Sequence, residues 1–312
     1  MLSKPTFLKY NHVNDINTSC VTERLSVFCQ VSSRLAEAPI WCVSRSSLFW
    51  VDILLNRLYE KRWQSDRLNV WQLNKTVSSL AEDKRSAGCL WLVSESEIAY
   101  FDPDSGLYTP FAEVALSNCY RTNDGSVGPD GRYWFGTMLR KPRLGMGKVL
   151  SIGIDKRIRT EITGIAIPNT FCWMPDGSVL ISDSLRQMCQ RFKPGNDENP
   201  MTIIGTFIEM TDTSGTPDGG VADQHGNIWI AIWGGGKVAC YNQDGTLLDE
   251  VILPVLQPSS CCFGGPENNM LFITTATEGL SIEQLNQSPN SGKTFVVKLA
   301  VTGAPLYKFS TE

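Results

Sequence analysis

The sequence predicts an all-β fold: a six-bladed β-propeller of four-stranded antiparallel blades around a central metal site. Three observations predict it. Aromatic and β-branched residues come in short runs punctuated by 26 glycines and 16 prolines, and no long helical periodicity competes with them. A unit of short apolar strand, polar turn and second apolar strand recurs six times. The turn glycines Gly131, Gly177 and Gly226 are spaced by about 46 and 49 residues, a period typical of propeller blades.

The units follow one another along the chain. Ile40-Trp41-Cys42-Val43 turns at Ser44–Ser47 into Leu48-Phe49-Trp50-Val51-Asp52. Gly88–Val93 turns at Ser94–Glu97 into Ile98-Ala99-Tyr100. Asn123–Val127 turns at Pro129-Asp130-Gly131 into Tyr133-Trp134-Phe135. Phe171-Cys172-Trp173 turns at Pro175-Asp176-Gly177 into Val179-Leu180-Ile181. Gly220-Val221-Ala222 turns at Gln224-His225-Gly226 into Ile228–Ala231. Ser260–Phe263 turns at Pro266–Asn269 into Met270–Ile273. Third strands are visible at Gly147–Ile152, Gly236–Tyr241 and Thr294–Leu299. The run Arg24–Cys29 is expected to join the last blade and close the ring, leaving no long free edge. The expectation is one domain over residues 1–312.

A propeller gathers the starts of its inner strands around one end of a central channel, however far apart they lie in sequence. Those positions hold Glu37, Asn123, Asn169 and Asp218. Two carboxylates and one or two amide carbonyls form a hard-oxygen set suited to one divalent cation, Ca2+ first, or Mg2+, Mn2+ or Zn2+. Taken singly, each residue has a plainer reading. Pro217-Asp218-Gly219 has the composition of a turn, Arg121-Thr122-Asn123-Asp124-Gly125 reads equally well as a polar turn or a ligand-holding stretch, and Asp52 and Asp183 read first as blade-turn residues. The shared place in the repeat favours the site.

Composition excludes other classes. The net charge is −4 with scattered Lys and Arg, so no nucleic-acid footprint or basic membrane-binding face is expected. No apolar run reaches the length of a membrane helix. The first 15 residues lack the apolar core of a secretory signal, so the 10 cysteines read as reduced thiols of a cytoplasmic protein. With only His12 and His225, neither a His-based zinc site nor a Ser-His-Asp triad is expected.

At these residues the sequence resembles the regucalcin (senescence marker protein)/gluconolactonase family of six-bladed propellers. The resemblance is carried by AEAPIW with LFWVDI, RTNDGSVGPDGRYWFGTM, IPNTFCWMPDGSVLISDS, TPDGGVADQHGNIWIAIWGGGKV and SSCCFGG, in family order over about Leu35 to Thr275. It implies one divalent cation held by Glu37, Asn169 and Asp218, with Arg121 and Asn123 binding substrate hydroxyls beside it. It also implies hydrolysis of a sugar lactone such as gluconolactone. Three departures stand out. Ala36 and Ala38 flank Glu37 where the family usually has Gly before it and Gly or Ser after. Thr170-Phe171 replaces Gly-Leu after the amide ligand. Leu139-Arg140-Lys141 follows Gly136-Thr137-Met138, where some members carry an acidic substrate contact.

Lactone hydrolysis needs a polarised carbonyl and a nucleophilic water, both of which a divalent cation supplies. Asp218 is the candidate general base, a role that cation-activated water could make unnecessary. Arg121 and Asn123 would orient the sugar and offset charge on the tetrahedral intermediate. The alternatives are another metal-dependent esterase or organophosphatase on a similar propeller, and a non-catalytic calcium-binding propeller.

Overall fold

The computed structural model describes residues 23–195, 201–210 and 215–311. The N-terminal stretch with His12 and Cys20 lies outside them. The described residues form a six-bladed β-propeller of four-stranded antiparallel sheets. The inner strands are Ala36–Cys42, Val77–Glu82, Tyr120–Val127, Pro168–Trp173, Thr216–Ala222 and Pro258–Gly264. In the sixth blade the outermost strand is Ser26–Cys29, which pairs with Thr294–Lys298. That one sheet therefore joins both ends of the described chain.

Burial explains why these residues form these strands. Each inner strand packs on a neighbouring blade with both faces and turns only its free edge to the channel, so it lacks the polar alternation of a half-solvated strand. Ala36–Cys42 and Pro258–Gly264 are buried at every position. The large apolar side chains fill the seams between blades, one cluster per seam. Phe49, Val51 and Leu58 meet Leu80, Leu90 and Leu92 between blades 1 and 2. Trp229 and Val238 meet Phe263 and Leu271 between blades 5 and 6. Trp41, Trp50 and Tyr59 meet Phe272 and Val296 where blade 6 meets blade 1.

Blade 2 departs from the sequence reading. Gly88–Val93 and Ile98–Tyr100 fall on its second and third strands, Leu90–Ser94 and Glu97–Asp102. The inner strand is Val77–Glu82. Its Val-Ser-Ser-Leu-Ala-Glu sequence has little β signature, because small hydroxyls line the crowded ring centre there.

The C-terminal segment crosses the end of the channel where the inner strands finish. Gly303 bridges Asp223 in blade 5 and Phe309 bridges Asp83 in blade 2, blades on opposite sides of the ring. Between them, Ala304–Lys308 floors a cavity of about 140 Å3. Phe309 is fully buried against Trp91, Phe111 and Tyr133. No disulfide joins the described cysteines. Among the described residues no helix is long and apolar enough to cross a membrane.

Candidate active site

Each of the six inner strands carries a β-bulge near its start. The pairing register breaks between Glu37 and Ile40, Thr122 and Gly125, Asn169 and Cys172, and Pro217 and Gly220. In blades 2 and 6 it breaks between Val77 and Ser79 and between Pro258 and Ser260. A bulge bends the strand and re-aims its side chains, and here it turns the start of every inner strand toward the axis. Arg121–Gly125 and Pro217–Gly219 are therefore bulged strand, not turns. The bulges place Ala38, Thr170 and Phe171 in the left-handed region at φ 50°, 81° and 33°. A glycine, which the resemblance leads one to expect after Asn169, would adopt this conformation without strain. At Gly219 the reason for glycine is space, since a Cβ would collide with Ser260.

The structure brings Glu37, Asn123, Asn169 and Asp218 together at this end of the channel, all of them buried. A continuous hydrogen-bond chain orients the amides. Arg121 Nη1 donates to Asn123 Oδ1 at 2.6 Å. Asn123 Nδ2 donates to Asn169 Oδ1 at 2.7 Å and to the Pro168 carbonyl at 3.0 Å. Asn169 Nδ2 donates to Ser184 Oγ at 2.8 Å, and Ser184 Oγ donates to the Pro217 carbonyl at 2.6 Å. The chain runs from blade 3 to the residue preceding Asp218 in blade 5. It leaves Asn169 Oδ1 with one lone pair for a further partner.

The carboxylates carry the electrostatic signature of the site. Burial, then the charges of Asp218 and Asp124, push the Glu37 carboxyl well above the usual range. Burial, then Asp124, do the same to Asp218, with Arg121 opposing. Asp124, which lines the cavity below, is pushed up to about 6 by burial. Among the described residues, neither Glu37 nor Asp218 forms an ion pair within salt-bridge distance. The Arg121 guanidinium acts on both acids from a distance but pairs with neither, so two buried carboxylates remain without a bonded cation, and hard-oxygen donors suit a divalent one. Among the described residues no three His, Cys, Asp or Glu side chains gather to hold an ion, so any set here needs the Asn169 amide as third donor. The residues present fit such an ion.

Several supporting residues were not singled out by their sequence. Ser78 Oγ donates to the Asn123 carbonyl at 2.7 Å, and Ser259 Oγ donates to the Ala36 carbonyl. These serines fill the bulge positions of the two blades that contribute no acid or amide, and the recurring Ser-Ser of Val77-Ser78-Ser79 and Pro258-Ser259-Ser260 is the signal that marks them. Thr170 Oγ1 donates to the Asp218 carbonyl at 2.7 Å. Asp52 and Asp183 do more than end a strand. Asp52 accepts the Arg34 and Leu35 amides at 2.7 and 3.3 Å. Asp183 accepts those of Ala166 and Ile167 at 2.9 and 3.2 Å. Each carboxylate fastens the segment leading into Glu37 or Asn169. His225 is exposed in its blade turn, away from the site.

Comparison with known proteins decides the family. Residues 35–277 match the model of the SMP-30/gluconolactonase/LRE-like region. The chain belongs to this family. An L-arabinolactonase of Azospirillum brasilense is 29% identical over 91% of this chain and 95% of its own length. A regucalcin of Danio rerio is 31% identical over 92% and 99%. The crystal structure of regucalcin from Agrobacterium tumefaciens, described as a calcium-binding protein, superposes with a TM-score of 0.84 at 29% identity, covering 91% of this chain and 96% of that one. Within the SMP-30/gluconolactonase family, the bulged inner strands of this chain carry the whole candidate set on four of six blades.

Proposed function

We propose that this protein hydrolyses a sugar lactone, an aldonolactone such as gluconolactone, to the aldonic acid, using one divalent cation held by Glu37, Asn169 and Asp218. One observation carries the reading: two buried carboxylates without a paired base converge beside an amide whose orientation is fixed at both ends. Family relatives named for lactone hydrolysis support the substrate class.

When bound, the cation supplies Lewis-acid polarisation of the lactone carbonyl and lowers the pKa of a nearby water. The residues of the chain do the rest. Glu37 and Asn169 fix the position of that charge. Asp218, whose carboxyl is held above its usual range, takes the proton from the attacking water. Arg121 and Asn123 bind the sugar hydroxyls, and the Arg121 guanidinium offsets the negative charge that develops on the carbonyl oxygen. The second reading, a calcium-binding propeller without turnover, draws on the description of the Agrobacterium protein.

Acid release from a panel of aldonolactones tests the proposal. Metal-stripped protein receives Ca2+, Mg2+, Mn2+ or Zn2+ in turn. Turnover restored by an ion supports lactone hydrolysis. Folded protein that binds an ion yet hydrolyses no lactone supports the second reading.

A further inference from the structure

The site mouth is walled unequally. Inner strands begin at the site, and each second strand ends opposite that beginning: Ala36 pairs with Asp52, Tyr120 with Leu139, Pro168 with Asp183 and Pro258 with Thr275. The connections from second to third strands therefore rim the mouth. Four are short, at residues 53–56, 95–96, 184–187 and 234–236. Two are longer: residues 140–146 in blade 3 and residues 276–293 in blade 6, the latter containing the helix Ile282–Gln287. Blades 3 and 6 face each other across a six-membered ring.

The two walls carry opposite charge. Blade 3 presents Arg140, Lys141 and Arg143, and blade 6 presents Glu278. Arg140 is engaged sideways. Its Nη2 pairs with Glu95 and its Nε donates to the Asn118 carbonyl at 3.1 Å. Glu278 is fixed through its backbone. Its amide donates to the Arg34 carbonyl at 3.0 Å and its carbonyl accepts Gln257 Nε2 at 3.0 Å. Ala276 bridges Leu35, two residues before Glu37. The Glu278 carboxylate accepts no hydrogen bond from a described residue and is exposed. Among the charges acting on the half-buried Arg121 guanidinium, Glu278 is the largest, and Arg140 acts in the opposite sense.

We infer that Glu278 is a specificity-determining residue, whose carboxylate accepts hydroxyls at the distal end of a neutral polyhydroxy lactone and repels lactones bearing an anionic group there. For its reaction the inference rests on the proposed lactone hydrolysis. A carboxylate acceptor pairs well with sugar hydroxyls, and a like charge at close range opposes binding even in a partly solvated mouth. Arg140 is held by Glu95, and Lys141 and Arg143 stand with it on the opposite wall, so the preference is confined to the blade 6 side of the mouth.

The test uses full-length, cation-loaded wild type and Glu278→Gln. Turnover is compared on glucono-lactone and on glucaro-lactone, which adds a distal carboxylate. Calorimetric binding is compared for 1,5-anhydroglucitol and glucuronate, which need no hydrolysis. Wild type is expected to favour the neutral member of each pair. Glu278→Gln should shift that ratio toward the anion by about fivefold or more, through KM and Kd with kcat within about twofold. An unchanged ratio, a wild type that favours the anion, or a variant altered only in kcat would overturn the inference. Absence of turnover in wild type would sink the lactonase reading alone, because the binding pair still decides the role of Glu278. Absence of both turnover and binding would overturn both.

Discussion

Asn123 donates its side-chain amide to Asn169 Oδ1 across the seam between blades 3 and 4, at 2.7 Å. Through this bond the group expected to touch substrate orients the group expected to hold the cation. Arg121 stands behind Asn123, and Ser184 holds the far side of Asn169.

Asn123→Ala should therefore weaken the cation as well as the substrate. Loss of an outer partner to a ligand typically costs about 10–100-fold in metal affinity. Calcium titration calorimetry checks this. An affinity within about twofold of wild type would mean that Asn169 holds its orientation without Asn123.

The buried acids give the cation-free protein a defined pH response. Glu37, Asp218 and Asp124 all have carboxyls raised above their unfolded values, Asp124 to about 6. Between the unfolded and folded pKa the native state holds more protons, so stability falls as pH rises. The stability is fully present below the unfolded values and is lost as pH rises through the folded ones. Thermal melts of stripped protein should therefore drop in Tm from pH 5 to pH 8. Saturating Ca2+ should flatten the slope, and so should Asp218→Asn in the stripped protein. A Tm that rises over that range would contradict the assignment.

Thr170→Val separates packing from hydrogen bonding at the bulge. Thr170 sits at φ 81° and bonds both Ser182 Oγ and the Asp218 carbonyl, at 2.6 and 2.7 Å. Valine keeps the shape and the strain but loses both bonds. The expected cost is about 1–3 kcal/mol in denaturant unfolding, with a weaker cation affinity. Unchanged stability and affinity would show that the Thr170 hydroxyl does not support Asp218.

Phe309→Ala tests the strap across the far end of the channel. Truncating a fully buried Phe costs about 3–5 kcal/mol, and here it also frees the segment flooring the cavity. The melt should fall while activity per folded molecule stays near wild type, because Phe309 lies at the opposite end from Glu37 and Asp218. A large loss of kcat in folded variant would tie the strap to the site.

Much of this was legible in the sequence. Asp130-Gly131 and Asp176-Gly177 fixed the phase of blades 3 and 4, because a left-handed turn residue has few alternatives. Repeat position alone predicts that Glu37, Asn123, Asn169 and Asp218 lie at one end of the channel, and the structure brings these four side chains together there. Blade 2 reads out of phase because Val77–Glu82 has no aromatic residue, whereas the strands that follow it, Leu90–Ser94 and Glu97–Asp102, carry Trp91, Tyr100 and Phe101. Thr170 and Ser184 were not legible as supports. Their partners, the Asp218 and Pro217 carbonyls, lie in the next blade and depend on bulge geometry that composition does not encode. Glu278 was missed for a similar reason, since its loop meets Arg34 only once the ring closes.

The most direct test of the central claim is cation stoichiometry measured beside turnover, on wild type, Glu37→Gln and Asp218→Asn. Stripped wild type should bind one divalent ion per chain at this site and gain lactone hydrolysis as it fills. Both carboxamide variants should stay folded, with a Tm at or above that of stripped wild type at pH 8, yet lose ion and turnover together. Turnover that survives in folded variants with the site emptied would contradict the account.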